Sequence, residues 1–161
     1  MANEIIQYRR SKFSARIMTD RLYTGAHSWL KNEQGDIWRV GLTKFAIRML
    51  GDAVEMDFEV APGDRLETGQ VIGWLEGFKA VTDIYAPMPS TFHETNESLL
   101  NDMELLRRDH YDKGWLYSIE GKPDSGCIDA EAYMAILDQT IDKMMGTRHD
   151  GETTSTQTGV S

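Results

Sequence analysis

At 161 residues, with 40% hydrophobic and 27% charged side chains, the chain has the size and composition of one soluble globular domain with a single core. A net charge of −9 argues against nucleic acid as a partner, and no apolar run approaches the roughly 20 residues that a membrane helix needs. The single cysteine, Cys127, excludes an intramolecular disulfide and fits a reducing compartment, so any dithiol chemistry has to come from a cofactor.

Residues 1–20 carry Arg9, Arg10, Lys12 and Arg16 with few acids and show no clear period, which predicts a mobile or lightly packed N-terminal arm. Tyr23 to Leu30 and Ile37 to Leu42, separated by the turn signal Asn32-Glu33-Gln34-Gly35-Asp36, read as a hairpin. His27 has no cysteine, histidine or carboxylate nearby at ligand spacing, so it reads as a hydrogen-bonded structural residue. Thr43 to Asp52 predicts a short helix with Thr43 as N-cap and Gly51 as its stop. From Val54 to Val60, apolar residues alternate with Glu55, Asp57 and Glu59, the pattern of a strand with one acidic face.

Gln70 to Leu75 and Val81 to Ala86 read as two strands around a glycine-containing turn, with Lys79 at or beside the tip. A tip projects its side chain away from the sheet, where a modifying enzyme can reach the amine. Further on, Thr91 to Asn96 predicts a strand, Glu97 to Arg108 one or two short helical segments, and Trp115 to Ile119 a last strand with Trp115 as a core anchor. Asp129 then opens a helix with Tyr133, Ile136, Leu137, Ile141 and Met144 on one face, which Gly146 is expected to end. Cys127, just ahead of this helix, is expected to have a slightly stabilised thiolate and no role. The Thr-, Ser- and Gly-rich residues that follow predict a disordered tail, so the expected organisation is 1–20 arm, 21–145 domain and 146–161 tail.

Pro62-Gly63-Asp64 through Gly73, followed by Glu76 and Lys79-Ala80, resembles the lipoyl and biotinyl carrier domains. Biotin carriers flank the lysine with methionines, whereas Phe78 and Ala80 stand here, which favours lipoyl. Within that group, Lys79-Ala80 with Asp83-Ile84-Tyr85-Ala86-Pro87 is similar to the H proteins of the glycine cleavage system. So are Tyr23-Thr24 with His27 and Trp29, Val40 to Thr43 with Leu50-Gly51-Asp52, and Gly114-Trp115-Leu116. The chain departs from the family at Gly77-Phe78, where Ser-Val is common, at Pro87-Met88-Pro89-Ser90, and at His110, where a proline is expected.

The resemblance implies a mainly β barrel-sandwich hybrid of the biotinyl/lipoyl carrier type, with short helices and a C-terminal helix. It implies lipoate in amide linkage to Lys79 and an arm that shuttles an aminomethyl group among partners. Those partners are a pyridoxal-phosphate glycine decarboxylase, a folate-dependent aminomethyltransferase, dihydrolipoyl dehydrogenase and the lipoylating enzymes, in a cytoplasmic setting or the mitochondrial matrix of a eukaryote. Glu76, Gly77, Phe78, Ala80 and Asp83 stand around the lysine either as recognition elements or as ordinary turn and hairpin residues. With no nucleophile–base pair, phosphate-binding loop or metal cluster in the sequence, the chain reads as a carrier and not an enzyme. An H-like carrier serving a lipoyl relay, sulfur-transfer or other dehydrogenase system is the second reading, and an unmodified interaction module of the same fold is the third.

Overall fold

A computed structural model of the chain describes residues 4–153. Its elements in order are β1 (Ile5–Arg10), β2 (Phe13–Met18), β3 (Leu22–Tyr23), β4 (Ser28–Gln34), β5 (Ile37–Leu42), α1 (Lys44–Leu50), β6 (Ala53–Phe58) and β7 (Arg65–Leu66). There follow β8 (Val71–Gly77), β9 (Val81–Tyr85), β10 (Ser90–Thr95), α2 (Glu97–Asn101), α3 (Leu105–Arg108), β11 (Tyr117–Gly121) and α4 (Ala130–Thr153).

A six-stranded sheet, ordered β3-β4-β5-β11-β10-β7, faces a three-stranded sheet, β6-β8-β9. Leu30, Val40, Leu66, Phe92 and Ile119 from the first pack with Met56, Ile72, Leu75 and Ile84 from the second to form the main core. Strand alternation supplies these inward faces, and burial of that surface is what holds two short-stranded sheets together. This is the expected mainly β barrel-sandwich hybrid.

A second core sits outside the sandwich. The antiparallel β1–β2 hairpin places Tyr8, Phe13, Ala15 and Ile17 against Tyr133, Leu137 and Ile141 of α4, with Tyr23, Trp29 and Phe45 beneath. The expected loose arm is therefore a packed hairpin over residues 5–18. Its tie to the sandwich is Tyr23, whose ring stacks on Tyr133 at 4.8 Å and whose hydroxyl donates to the Met18 carbonyl at 2.8 Å. Tyr8 donates to Asp138 at 2.8 Å, and the Arg10 guanidinium forms a fork on Asp142, both on α4. Apolar alternation in Tyr8, Phe13, Ala15 and Ile17 is diluted by the arginines on the opposite face, which hides the strand period in the sequence.

Several boundaries shift for local reasons. Tyr23 and Leu30 lie on separate strands, because His27 adopts φ +67° in the turn between β3 and β4. A bulge between Ala53 and Glu55 turns Val54 outward, so the alternation starts only after it. Trp115 precedes the last strand and is half-buried, with the Arg39 guanidinium 4.5 Å from its ring centroid. Asp129 accepts from the Ala132 amide at 2.8 Å, as an N-cap should, but Gly146 does not stop α4, which runs on to Thr153. Met144 is 39% exposed and lies off the buried stripe. Of the disordered tail expected over 146–161, residues 146–153 are helical instead, and 154–161 lie outside the described residues.

Candidate functional site: the lysine turn

β8 and β9 pair antiparallel, with Glu76 opposite Val81, and the chain reverses through Phe78, Lys79 and Ala80. The Gly77 amide donates to the Ala80 carbonyl at 2.9 Å and closes the turn. The turn leans on the end of α1. Phe78 donates its amide to the Asp52 carbonyl and Lys79 its amide to the Leu50 carbonyl, both at 3.0 Å. These bonds satisfy a carbonyl at the helix C-terminus that has no partner within the helix.

Two glycines permit this close approach. A Cβ on Gly77 would stand 2.3 Å from the Leu50 oxygen and 2.6 Å from its Cγ. Gly51 adopts φ +80°, and a Cβ there would stand 2.9 Å from the Lys79 Cγ. The lysine stem thus starts from a fixed base. Its amine is exposed, its contact being a long 3.4 Å approach to the Arg48 carbonyl.

The other residues singled out around the lysine separate into two groups. Gly77, Phe78 and Ala80 form the turn with Lys79, and Phe78 is 80% exposed. Glu76 and Asp83 lie on the sheet's outer face, where cross-strand rows run Glu55–Glu76–Val81 and Asp57–Trp74–Asp83. Asp83 sits opposite Trp74, well inside the strand pair and away from the tip. The four acids therefore surround Trp74 as one acidic face.

Two cavities flank the turn. One of about 290 Å³ lies between α1, β9 and the start of β4, and its wall is largely apolar: Leu42, Phe45, Met49, Ala80, Val81 and Tyr117 among others. His27 is on that wall, bonded through Nδ1 to the Tyr133 hydroxyl at 2.8 Å, and burial lowers its pKa. The same hydroxyl meets Thr43 Oγ1 at 2.7 Å, so the Thr43 side chain braces α4 instead of capping α1. This matches the structural role expected of His27. The second cavity, about 380 Å³, is lined by Lys79 and Phe78 with Lys44, Arg48, Arg107 and His110. Cys127 is half-buried with its thiol pushed up by burial, against the expected thiolate stabilisation. Among the described residues, no group of three or more His, Cys, Asp or Glu is placed to hold a metal.

Sequence reasoning located the lysine turn but not its mount. Leu50-Gly51-Asp52 stood out as a helix end and through a resemblance, and nothing local in the sequence signals that it receives a turn some 25 residues later.

A barrel-sandwich hybrid that raises a lysine on an anchored hairpin turn has the architecture of a carrier domain. Residues 21–139 match the family described as glycine cleavage H-protein. The glycine cleavage system H protein of Bacteroides thetaiotaomicron is 37% identical over 118 residues, 71% of this chain and 92% of its own. That of Corynebacterium jeikeium is 36% identical over 120 residues, 73% of this chain and 94% of its own. The crystal structure of a glycine cleavage system H protein from Mycobacterium marinum superposes with a TM-score of 0.66 at 31% identity, covering 73% of this chain and 95% of that one. The chain belongs to the glycine cleavage H-protein family. The β1–β2 hairpin lies ahead of the matched residues.

Proposed function

We propose that the protein is a non-catalytic lipoyl carrier of the glycine cleavage system, with lipoate in amide linkage to Lys79 Nζ. The observation that carries this reading is an exposed amine on a turn whose backbone is pinned by two hydrogen bonds, one to the last residue of α1 and one to Asp52 just beyond it. A fixed base with a free side chain suits a group that has to visit several enzymes, because only the arm then needs to move. When bound, lipoate supplies a disulfide that takes up and releases an aminomethyl unit.

This chain's residues do the presenting. Gly77 and Gly51 let the turn seat on α1, and Phe78 and Ala80 flank the amine with apolar surface. Glu76 and Asp83, with the rest of the acidic face, steer basic surfaces on the lipoylating enzymes and on the partners. Those partners are a pyridoxal-phosphate glycine decarboxylase, a folate-dependent aminomethyltransferase and dihydrolipoyl dehydrogenase. The apolar cavity beside β9, which Ala80 and Val81 line, is one shelter from water for an apolar arm.

The test is the intact mass of protein from its native host, with peptide mapping across Lys79. A lipoyl-sized addition on Lys79 that is absent from Lys79→Arg is expected. An unmodified lysine in cells whose other lipoyl proteins are modified would overturn the proposal. The exposure of Phe78 favours a second reading, an H-like carrier docking on different partners. Lipoylated protein that fails to support glycine decarboxylation by purified partner enzymes would select it.

A further inference from the structure

The protein is acidic overall, yet Arg16, Lys44, Arg107 and Arg108 line one cleft. The cleft, about 370 Å³, opens between the N-terminal hairpin and α3. The hairpin contributes Gln7, Ser14 and Arg16, α1 contributes Lys44, and α3 contributes Arg107 and Arg108. One carboxylate, Asp109, shares the wall, and it accepts from the Lys113 amide at 3.3 Å. Arg107 and Arg108 are paired with the exposed acids Glu104, at 2.6 Å, and Asp102, at 3.0 Å. Among the described residues, no ion pair engages Arg16 or Lys44.

His110 lines both this cleft and the cavity that Lys79 borders, and its Nε2 is buried without a hydrogen-bond partner among the described residues. Burial lowers its pKa to about 4, with Lys44, Arg16 and Arg21 acting in the same direction and Asp109 against them.

An ammonium, a guanidinium, a serine hydroxyl and a side-chain amide around one cleft match a tetrahedral dianion, which accepts hydrogen bonds from several directions at once. We propose that the cleft between the N-terminal hairpin and α3 binds a phosphoryl group, held by Arg16 and Lys44, beside the cavity that borders the carrier lysine. The volume leaves room for more than inorganic phosphate, so the ligand is a small phosphoryl-bearing molecule. The hairpin that closes the cleft lies ahead of the family-matched residues, so the site does not come with the family fold. It is also independent of the lipoyl reading, because no part of it requires a modified Lys79.

The experiment is an amide-shift NMR titration of the full, unmodified chain with inorganic phosphate and, separately, pyrophosphate, at ionic strength held constant with chloride. Saturable shifts centred on Ser14, Arg16, Lys44 and His110 are expected, with pyrophosphate the tighter ligand. Arg16→Gln and Lys44→Gln should each weaken binding at least about tenfold, the loss expected for one charge-assisted contact. Arg9→Gln, an exposed cation of the same hairpin outside the cleft wall, should leave it unchanged. Both cleft variants replace side chains free of ion pairs, and their unperturbed spectra elsewhere would show the fold intact. Absence of saturation, equal loss in Arg9→Gln, or binding of poly-glutamate but neither phosphate probe would overturn the proposal; the last outcome would mark an acidic-protein docking face.

Discussion

Gly77→Ala tests whether the lysine turn is truly mounted on α1. The new Cβ would stand 2.3 Å from the Leu50 oxygen and 3.0 Å from the Leu50 carbonyl carbon, so backbone has to separate by about 1 Å to restore ordinary contact. Overpacking of this kind costs roughly 1–3 kcal/mol. The separation also stretches the amide bonds from Phe78 to Asp52 and from Lys79 to Leu50, each with a net value of about 0.5–1.5 kcal/mol. Together these give a loss on the order of 2–6 kcal/mol. For a domain this size that corresponds to a fall in Tm of roughly 4–24 °C, readable by scanning calorimetry. Gly63→Ala is the control, since a Cβ there meets nothing and only its φ of +97° opposes it. That strain costs about 1–2 kcal/mol. A Gly77→Ala protein within about 0.5 kcal/mol of the parent, the range of neutral surface changes, would refute the mounting.

Tyr133→Phe removes the hydroxyl shared by His27 and Thr43 and leaves the Thr43 side chain, 1% exposed, without its partner. Denaturant unfolding should show a loss of about 1–3 kcal/mol. Ile17→Ala, at a site 1% exposed, should cost about 2–5 kcal/mol if the N-terminal hairpin folds with the rest, and nothing measurable if that segment is a loose arm. His110 has its pKa lowered from 6.5 to about 4, so between those values the unfolded chain binds the proton and the folded one does not. Its contribution is therefore complete above pH 6.5 and lost as pH falls toward 4, on the order of 3 kcal/mol, and the His110→Gln protein should show a shallower acid decline of Tm than the parent.

The sandwich and the turn were legible in the sequence because their signals are short-range. Alternation marks β6 after its bulge, and Gly77 with Lys79 between two apolar runs marks the hairpin. The N-terminal hairpin was not legible, since only Ile6, Tyr8, Phe13, Ala15 and Ile17 pack inward and its surface carries the arginines that suggest an unfolded arm. The cation cleft was equally hidden. Its members come from residues 7–16, from Lys44 and from 107–111, and only the fold places them on one wall. Asp83 lies on the strand that the sequence predicts over Val81 to Ala86, and pairing sets it across from Trp74.

The mount for the lysine extends further than the turn. The turn rests on the end of α1, and the residue just before that helix, Thr43, bonds to Tyr133 on α4. α4 in turn carries Asp138 and Asp142, which hold Tyr8 and Arg10 of the N-terminal hairpin. The Thr43–Tyr133 contact is buried, with Tyr133 in the second core, whereas the Arg10–Asp142 fork at the far end is exposed. Close-packed contacts resist continuous deformation, so drift of α1 has to disturb the buried Thr43–Tyr133 contact. Motion at the site is then confined to the side chain of Lys79 and whatever it bears. On the proposed carrier reading, a fixed base leaves a partner's approach to the face around the lysine: acids about Trp74 on one side and exposed Phe78 at the tip. Exchange of Phe78 for a small residue alters that face while leaving the mount intact, so its effect belongs to partner choice and not to stability.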